Sequence, residues 1–276
     1  MRKMLAALLG LALLTGCASG PTANPRDPFE PFNRGVYQLN EAVDGAVLKP
    51  VATAYRDGVP SPVRHGVNNF FGNLQDAWSF VNNALQLKGE AAMDSFFRFG
   101  VNTLMGLGGI LDVATEMNIE KHTKDFGHTL GYWGVGPGPY LVLPLLGPSS
   151  LRDTVALPVD MQGDFVAGVS HVPTRSTLTL VRAVDTRADL LNASAMLDQV
   201  ALDKYTFIRD AYLQRRLSTI FEGNPPSEED TGDSGAATSD VALGSSDAIP
   251  GANMPTNHAD QTLSNAGLSG AEKVKP

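Results

Sequence analysis

SPVRHGVNNFFGNLQDAWSFVNNALQ, residues 61–86, carries two patterns at once. Ser61-Pro62 is a helix-start signal, because proline in the first turn loses no needed N–H. Val63, Val67, Phe70, Phe71, Leu74, Trp78, Val81 and Leu85 then recur at helical spacing and trace one face of a long helix. Asn68, Asn69, Asn73, Gln75, Asn82 and Asn83 crowd the other faces. Amides are weak helix formers, so this many on one helix needs a reason. Two readings compete: a face bathed in solvent, or an uncharged polar wall facing a water-filled space. On the second, Asn69, Asn73, Asn82 and Asn83 are the candidate wall residues.

Upstream, Asp27-Pro28-Phe29-Glu30 reads as a capping box, with Asp27 as N-cap and Glu30 three residues on. Phe32, Val36, Leu39, Val43 and Val47 follow at helical spacing; Pro50 interrupts, and Val51, Tyr55 and Val59 suggest a short second helix. Downstream, Met93, Phe96, Phe97, Val101 and Leu104 keep the helical period until Gly106, Gly108 and Gly109 loosen it. Those glycines follow a helical pattern rather than a strand and lack a correctly placed third glycine, so they are no dinucleotide fingerprint. Close packing or a kink is their expected role.

GYWGVGPGPYLVLPLLGPSSLRD, residues 131–153, is too apolar for a surface loop and too often broken for a regular element. Ser150-x-x-Asp153 restarts a helix. Residues 160–176 read as loop, and 178–191 and 203–220 are helical again, with Tyr205, Ile208, Tyr212 and Ile220 on one face. Gly223, Asn224, Pro225 and Pro226 end the pattern. Residues 225–276 are Ser-, Gly-, Asp- and Ala-rich with too little apolar surface to order themselves, and are expected to be disordered. Strand signals are weak throughout, so the expected class is all-α.

The 276 residues carry a net charge of -8, against a role in binding nucleic acid, which needs a basic patch. The N-terminus has Arg2 and Lys3, then an apolar core over residues 4–14, too short to span a bilayer and fitting a signal peptide over 1–16. The only cysteine, Cys17, follows Leu14-Thr15-Gly16. That placement resembles a bacterial lipobox, whose cysteine becomes the acylated N-terminus and anchors the chain in lipid. Ala18, rather than Asp, follows it, which by resemblance directs the protein to the outer membrane; residues 17–26 then form a lipidated tether.

Chemistry leaves little trace. There is no G-x-S-x-G elbow and no phosphate-binding P-loop, and Cys17 is taken by lipid. His122 and His128 are six residues apart with Gly127 between them, a poor metal pair better read as turn or interface residues. The expectation is a protein that is not an enzyme, with no catalytic residues, no metal and no cofactor. The rivals are a lipid-anchored phospholipase or acyltransferase, and a passive structural envelope lipoprotein.

Several strings in order resemble the MlaA (VacJ) outer-membrane lipoproteins: DPFEPFNR (27–34), LKPVATAYRDGVPSPVRHGVNNFFGNL (48–74), RFGVNTLMGLGGILDVA, DFGHTLGYWGVGPGPYLVLPLLGPSSLRD, VDTRADLLN (184–192) and IRDAYLQRR (208–216). Pro31 departs from a common Gly, and Asp76-Ala77 from a common Glu-Pro pair. The resemblance implies one ring-like helical domain over 27–224, set in the inner leaflet of the outer membrane and facing the periplasm. It implies an amphipathic channel that clears mislocalised phospholipids from the outer leaflet, preserving lipid asymmetry. It also implies a trimeric porin partner, a soluble periplasmic lipid carrier and an inner-membrane ABC transporter beyond it.

On that footing the broken segment has a candidate role. Irregular backbone cannot face hydrocarbon, but is tolerated where it is buried in protein or lines a wet cavity. Tyr132, Trp133 and Tyr140 suit an interface, Leu141, Leu143, Leu145 and Leu146 suit acyl chains, and Gly134, Gly136 and Gly138 permit unusual backbone angles. These ten are the candidate channel and gating residues; the competing reading is that they pack the core beneath a loop.

Overall fold

A computed structural model describes residues 24–223. They fall in the first of two units of the chain, Met1–Thr231. The signal peptide, Cys17, most of the tether and the tail at 225–276 lie outside the described residues.

Helix α1 (Glu30–Val43) runs through a five-residue π-turn (Asp44–Leu48) into α2 (Lys49–Gly58). Pro50 therefore does not interrupt the chain: it sits in the first turn of α2, and the wide turn before it absorbs its lost N–H. Both oxygens of Asp44 accept from Arg187, at 2.7 and 2.8 Å, which pins this bend to the helix beyond. The expected cap at Asp27 is not formed. Phe29 occupies the cap position without a side-chain bond. Asp27 is buried instead and accepts from Asn33, Tyr205 and Arg209.

The quoted stretch is α3 (Ser61–Leu85), which turns back at residues 86–88 into α4 (Gly89–Leu104); these two share the most extensive helix–helix contact. The glycine turn after α4 is tightly packed. A Cβ on Gly106 would lie 2.2 Å from the Leu111 carbonyl oxygen, and one on Gly109 (φ +93) 2.6 Å from the Asn73 amide. Short α5 (Val113–Glu116) and α6 (Phe126–Tyr132) follow, each capped by an aspartate, Asp112 and Asp125.

The segment expected to refuse both regular structures contains a small hairpin. Strand β1 (Tyr140–Leu143) pairs antiparallel with β2 (Gly147–Ser150), with Tyr140 opposite Ser150 and Leu143 opposite Gly147. Ser150 then caps α7 (Leu151–Gly163) as expected. Helix continues past Asp160 to Gly163, and α8 (Val172–Asp189) starts before Leu178, so the expected loop over 160–176 is shorter. A separate α9 (Leu191–Val200), not foreseen, precedes α10 (Lys204–Ile220). The all-α class holds, with one two-stranded sheet among the described residues.

The packing is turned inside out. Among the described residues, twenty polar or charged side chains are buried against thirteen apolar ones, six of them alanine. No Phe, Met or Trp is among the buried set. Water-soluble domains bury large apolar side chains first. Here the stripe read in α1 points outward: Phe32 is 62% exposed and Leu39 53%, and only Val36 is buried. In α4 Phe96 and Phe97 are half exposed, while Ser95, Arg98 and Asn102 face inward. In α3 the buried positions are Gly66, Asn73, Asp76, Ser79, Asn82 and Asn83. Asn73, Asn82 and Asn83 are thus not on a solvated face, whereas Asn68 and Gln75 are exposed. Among the described residues no helix is long and apolar enough to cross a membrane.

Candidate functional site

The site builds on the hairpin and the helices that hold it. Two asparagines seven positions apart, on one face of α1, act toward β1 as a further strand would. Asn33 donates to the Tyr140 carbonyl (2.9 Å) and accepts from the Val142 N–H (2.9 Å). Asn40 donates to the Leu143 carbonyl (3.0 Å) and accepts from the Leu145 N–H (2.8 Å). Each amide satisfies one donor and one acceptor on the outer edge of a two-stranded sheet, which alone would be marginal. The turn they steady is strained, because Leu145 has φ +63. Leu145 and Leu146 project from its tip, 73% and 67% exposed. Beneath the hairpin, Val36, Tyr140, Val142 and Tyr205 form a small apolar cluster, with Tyr140 and Tyr205 edge to face. Asn33→Ala is expected to cost about 2–3 kcal/mol, because it removes the partner of one Asp27 oxygen and of two backbone groups. Asn40→Ala, at the exposed tip, should cost about 1 kcal/mol and speed amide exchange at Leu145. Equal losses for the two would contradict this clamp.

The candidate gating residues separate into three environments. Tyr132, at the end of α6, and Trp133, Gly134, Gly136 and Gly138 beyond it form an exposed rim. Lys88 sits over the Tyr132 ring at 4.7 Å, and the Trp133 indole donates to the Leu85 carbonyl at 3.2 Å. Gly134 (φ +91) and Gly138 (φ +64) use the left-handed region, whereas Gly136 does not. Tyr140 is buried in the apolar cluster, with Leu141 and Leu143 half-buried beside it in β1; Leu145 and Leu146 form the apolar tip.

The candidate wall residues are tied into the seam between α3 and its neighbours. Asn73 donates to Thr103 (2.9 Å). Asn82 accepts from Thr129 (2.8 Å), which in turn accepts from Gln86 (3.0 Å). Asn83 donates to Ser95 (3.2 Å) and to the His122 carbonyl (3.2 Å). With Asn82 and Asn83 fully buried and Asn73 nearly so, these amides face protein, not open space. Asn69, half-buried, bonds the Ile110 carbonyl at 3.1 Å. The seam centres on Arg98, 2% exposed, which donates to both oxygens of Asp112 (3.0 Å each), to Asp76 (3.3 Å) and to the Ile119 carbonyl (2.6 Å).

A second charged knot joins α6, α7 and α10. Arg216 donates to Asp125 (2.5 Å) and Asp153 (3.0 Å), and Tyr212 donates to Asp153 (2.6 Å). Burial works to raise the Asp153 carboxyl, but bonds from Arg216, Tyr212 and Arg152 win and bring it down to about 2. Its contribution is therefore complete above the ordinary carboxylate pKa near 3.8 and is lost as pH falls toward 2. Asp153→Asn should destabilise the protein at pH 7 and flatten its acid sensitivity between about pH 4 and 2 in unfolding followed by circular dichroism. An unchanged acid limb would contradict this. His128, pushed down chiefly by burial, completes the α6 capping box with Asp125 rather than facing a ligand; His122 pairs with Asp94 at 3.1 Å. Asp27, Asn33, Asn40 and Arg98 were missed as site residues. Asp27, Asn33 and Arg98 fall inside the strings that carried the resemblance, the one signal that pointed at them as a set.

Polar seams inside and large apolar side chains outside define a class: helical proteins inverted with respect to water-soluble globules, here carrying a clamped hairpin and no spanning helix among the described residues. Comparison with known proteins narrows this. Residues 25–219 match the MlaA lipoprotein family. The chain is 41% identical over 224 residues to the Intermembrane phospholipid transport system lipoprotein MlaA of Escherichia coli K12, covering 78% of this chain and 88% of that one. It is 34% identical over 235 residues to the protein of the same name from Haemophilus influenzae, covering 80% and 92%. A solved chain from work on the structural basis for maintenance of bacterial outer membrane lipid asymmetry superimposes with a TM-score of 0.63 at 37% identity, covering 72% of this chain and 99% of that one. The chain belongs to the MlaA lipoprotein family.

Proposed function

We propose that this protein removes mislocalised phospholipids from the outer leaflet of the outer membrane and so maintains lipid asymmetry. On this reading Cys17 carries the lipid anchor, and the helical body sits in the inner leaflet as a ring around an amphipathic passage. A trimeric porin holds it, and a soluble periplasmic carrier receives the lipid. The observation that carries the reading is the inverted packing: an exterior with Phe32, Phe96 and Phe97 half exposed or more suits acyl chains, not water. The lack of a spanning helix among the described residues fits a body confined to one leaflet. The names of the relatives and the subject of the solved neighbour support the cargo and the membrane.

Within this reading the rim at Tyr132–Gly138, the hairpin tip and part-exposed Asn69 border the passage. Asn73, Asn82 and Asn83 brace its wall from behind. No covalent step on the lipid is needed, so the protein acts without catalysis. In a strain lacking the chain, surface-exposed phospholipid should rise and return to normal on complementation; no rise would sink the proposal. Purified protein should release no fatty acid or lysolipid, and release would favour a phospholipase. Gly136→Ala meets no atom within 4 Å and should leave folding intact. Gly134→Ala and Gly138→Ala, at positive φ, should each cost about 1 kcal/mol and reduce complementation more than they reduce protein level.

A further inference from the structure

Behind the rim, between Pro137-Gly138, the start of α7 and one side of α10, lies a cleft of about 590 Å³. That size is ordinary for a small-molecule site. Four guanidinium groups line it, those of Arg26, Arg152, Arg209 and Arg216, against two carboxylates, Asp153 and Asp210. Asp153 is shared: Arg152 Nε lies 2.9 Å and Arg216 Nη2 2.7 Å from its Oδ1. Asp210 accepts from Arg209 at 2.8 Å. Behind the lining, Asp27 and Asp125 partly offset Arg209 and Arg216.

Arg152 decides the chemistry. It is 7% exposed. Its Nε is taken by Asp153 and its Nη1 by the Val135 carbonyl at 3.3 Å. Its Nη2 has no acceptor among the described residues, although the side chain lines the cleft. That edge of the guanidinium is left open to the cleft, and its planar fork suits phosphate oxygens. Leu213, Leu217 and Ile220 of α10 give the cleft an apolar side as well.

We propose that this cleft binds a phosphate group, such as a phospholipid headgroup or free phosphate presents, with Arg152 as its principal donor. Its use as a station for lipid headgroups rests on the transport reading above; its binding of phosphate does not. The carboxylates behind the lining damp the charge and keep binding weak, as a station on a transport path requires.

The test uses the full lipidated protein in an uncharged detergent and reads ³¹P line broadening. The probes are inorganic phosphate, glycerophosphoethanolamine and dihexanoyl phosphatidylglycerol. Broadening of all three supports a general phosphate site, and broadening of the two diesters alone supports a headgroup site. Leu217 is 46% exposed at the cleft, so Leu217→Glu should fold normally and weaken binding about tenfold, while Leu217→Gln leaves it unchanged. Arg152→Gln should weaken binding similarly. No broadening with any probe, or broadening that Leu217→Glu leaves intact, would overturn the site. If the protein fails the complementation assay while the probes still bind, the transport reading falls and the phosphate site stands.

Discussion

Replacing Arg98 with leucine is expected to destabilise the protein by about 3–5 kcal/mol, the usual result of removing one partner from a buried ion pair. Arg98 is 2% exposed and holds Asp76, Asp112, Thr115 and the Ile119 carbonyl together. Its loss leaves the nearly inaccessible Asp76 facing only Lys121, at 4.0 Å. Burial already pushes the Asp76 carboxyl upward, so it would take a proton or draw in water. Asn102 and the α5 cap at Asp112 would be disturbed with it. Denaturant unfolding of protein in detergent should record the loss. The triple variant Arg98→Leu, Asp76→Asn, Asp112→Asn should recover part of it, because no unpaired charge remains. A single variant within 1 kcal/mol of the parent would show that this seam does not hold α3, α4 and α5 together.

The other large effect concerns the exterior. Phe96→Glu combined with Phe97→Glu should leave the fold intact and abolish binding to lipid by the unanchored chain. Both rings are half exposed on α4, and the Phe80 ring of α3 that Phe96 touches at 5.5 Å is itself outside the buried set. Immersing a phenyl group in hydrocarbon is worth about 1.5–3 kcal/mol, and a carboxylate reverses the sign. Vesicle flotation of a Cys17→Ser protein separates this contribution from that of the lipid anchor. The parent should float and the double variant should stay in the aqueous fraction, with the same thermal unfolding in detergent. If both float alike, the apolar exterior does not rest in lipid.

The helices were legible where period alone decides them. Val63 to Leu85 gave α3 to within a residue, and Ser150-x-x-Asp153 gave the α7 cap. Which side of a helix faces the interior was not legible. Periodicity separates two faces but does not say what lies beyond either, and the rule that apolar means inside fails here. Asp27 looked like a cap because capping-box spacing says nothing of a tertiary partner such as Tyr205, 178 positions away. The hairpin was hidden for a related reason: its outer edge is completed by the side chains of Asn33 and Asn40, which no strand propensity registers. Pro50 was read as a break because the compensating π-turn before it has no sequence signature. Asn73, Asn82 and Asn83 lie on α3 as the periodicity placed them, but their burial depends on α4 and α6.

The outward-facing phenyl and leucyl groups have a consequence before the protein ever reaches its bilayer. A chain that folded in water would present them to other copies of itself, and aggregation would compete with delivery. On the proposed placement in lipid, this surface would have to be shielded until a membrane is reached, or folding delayed until lipid is at hand.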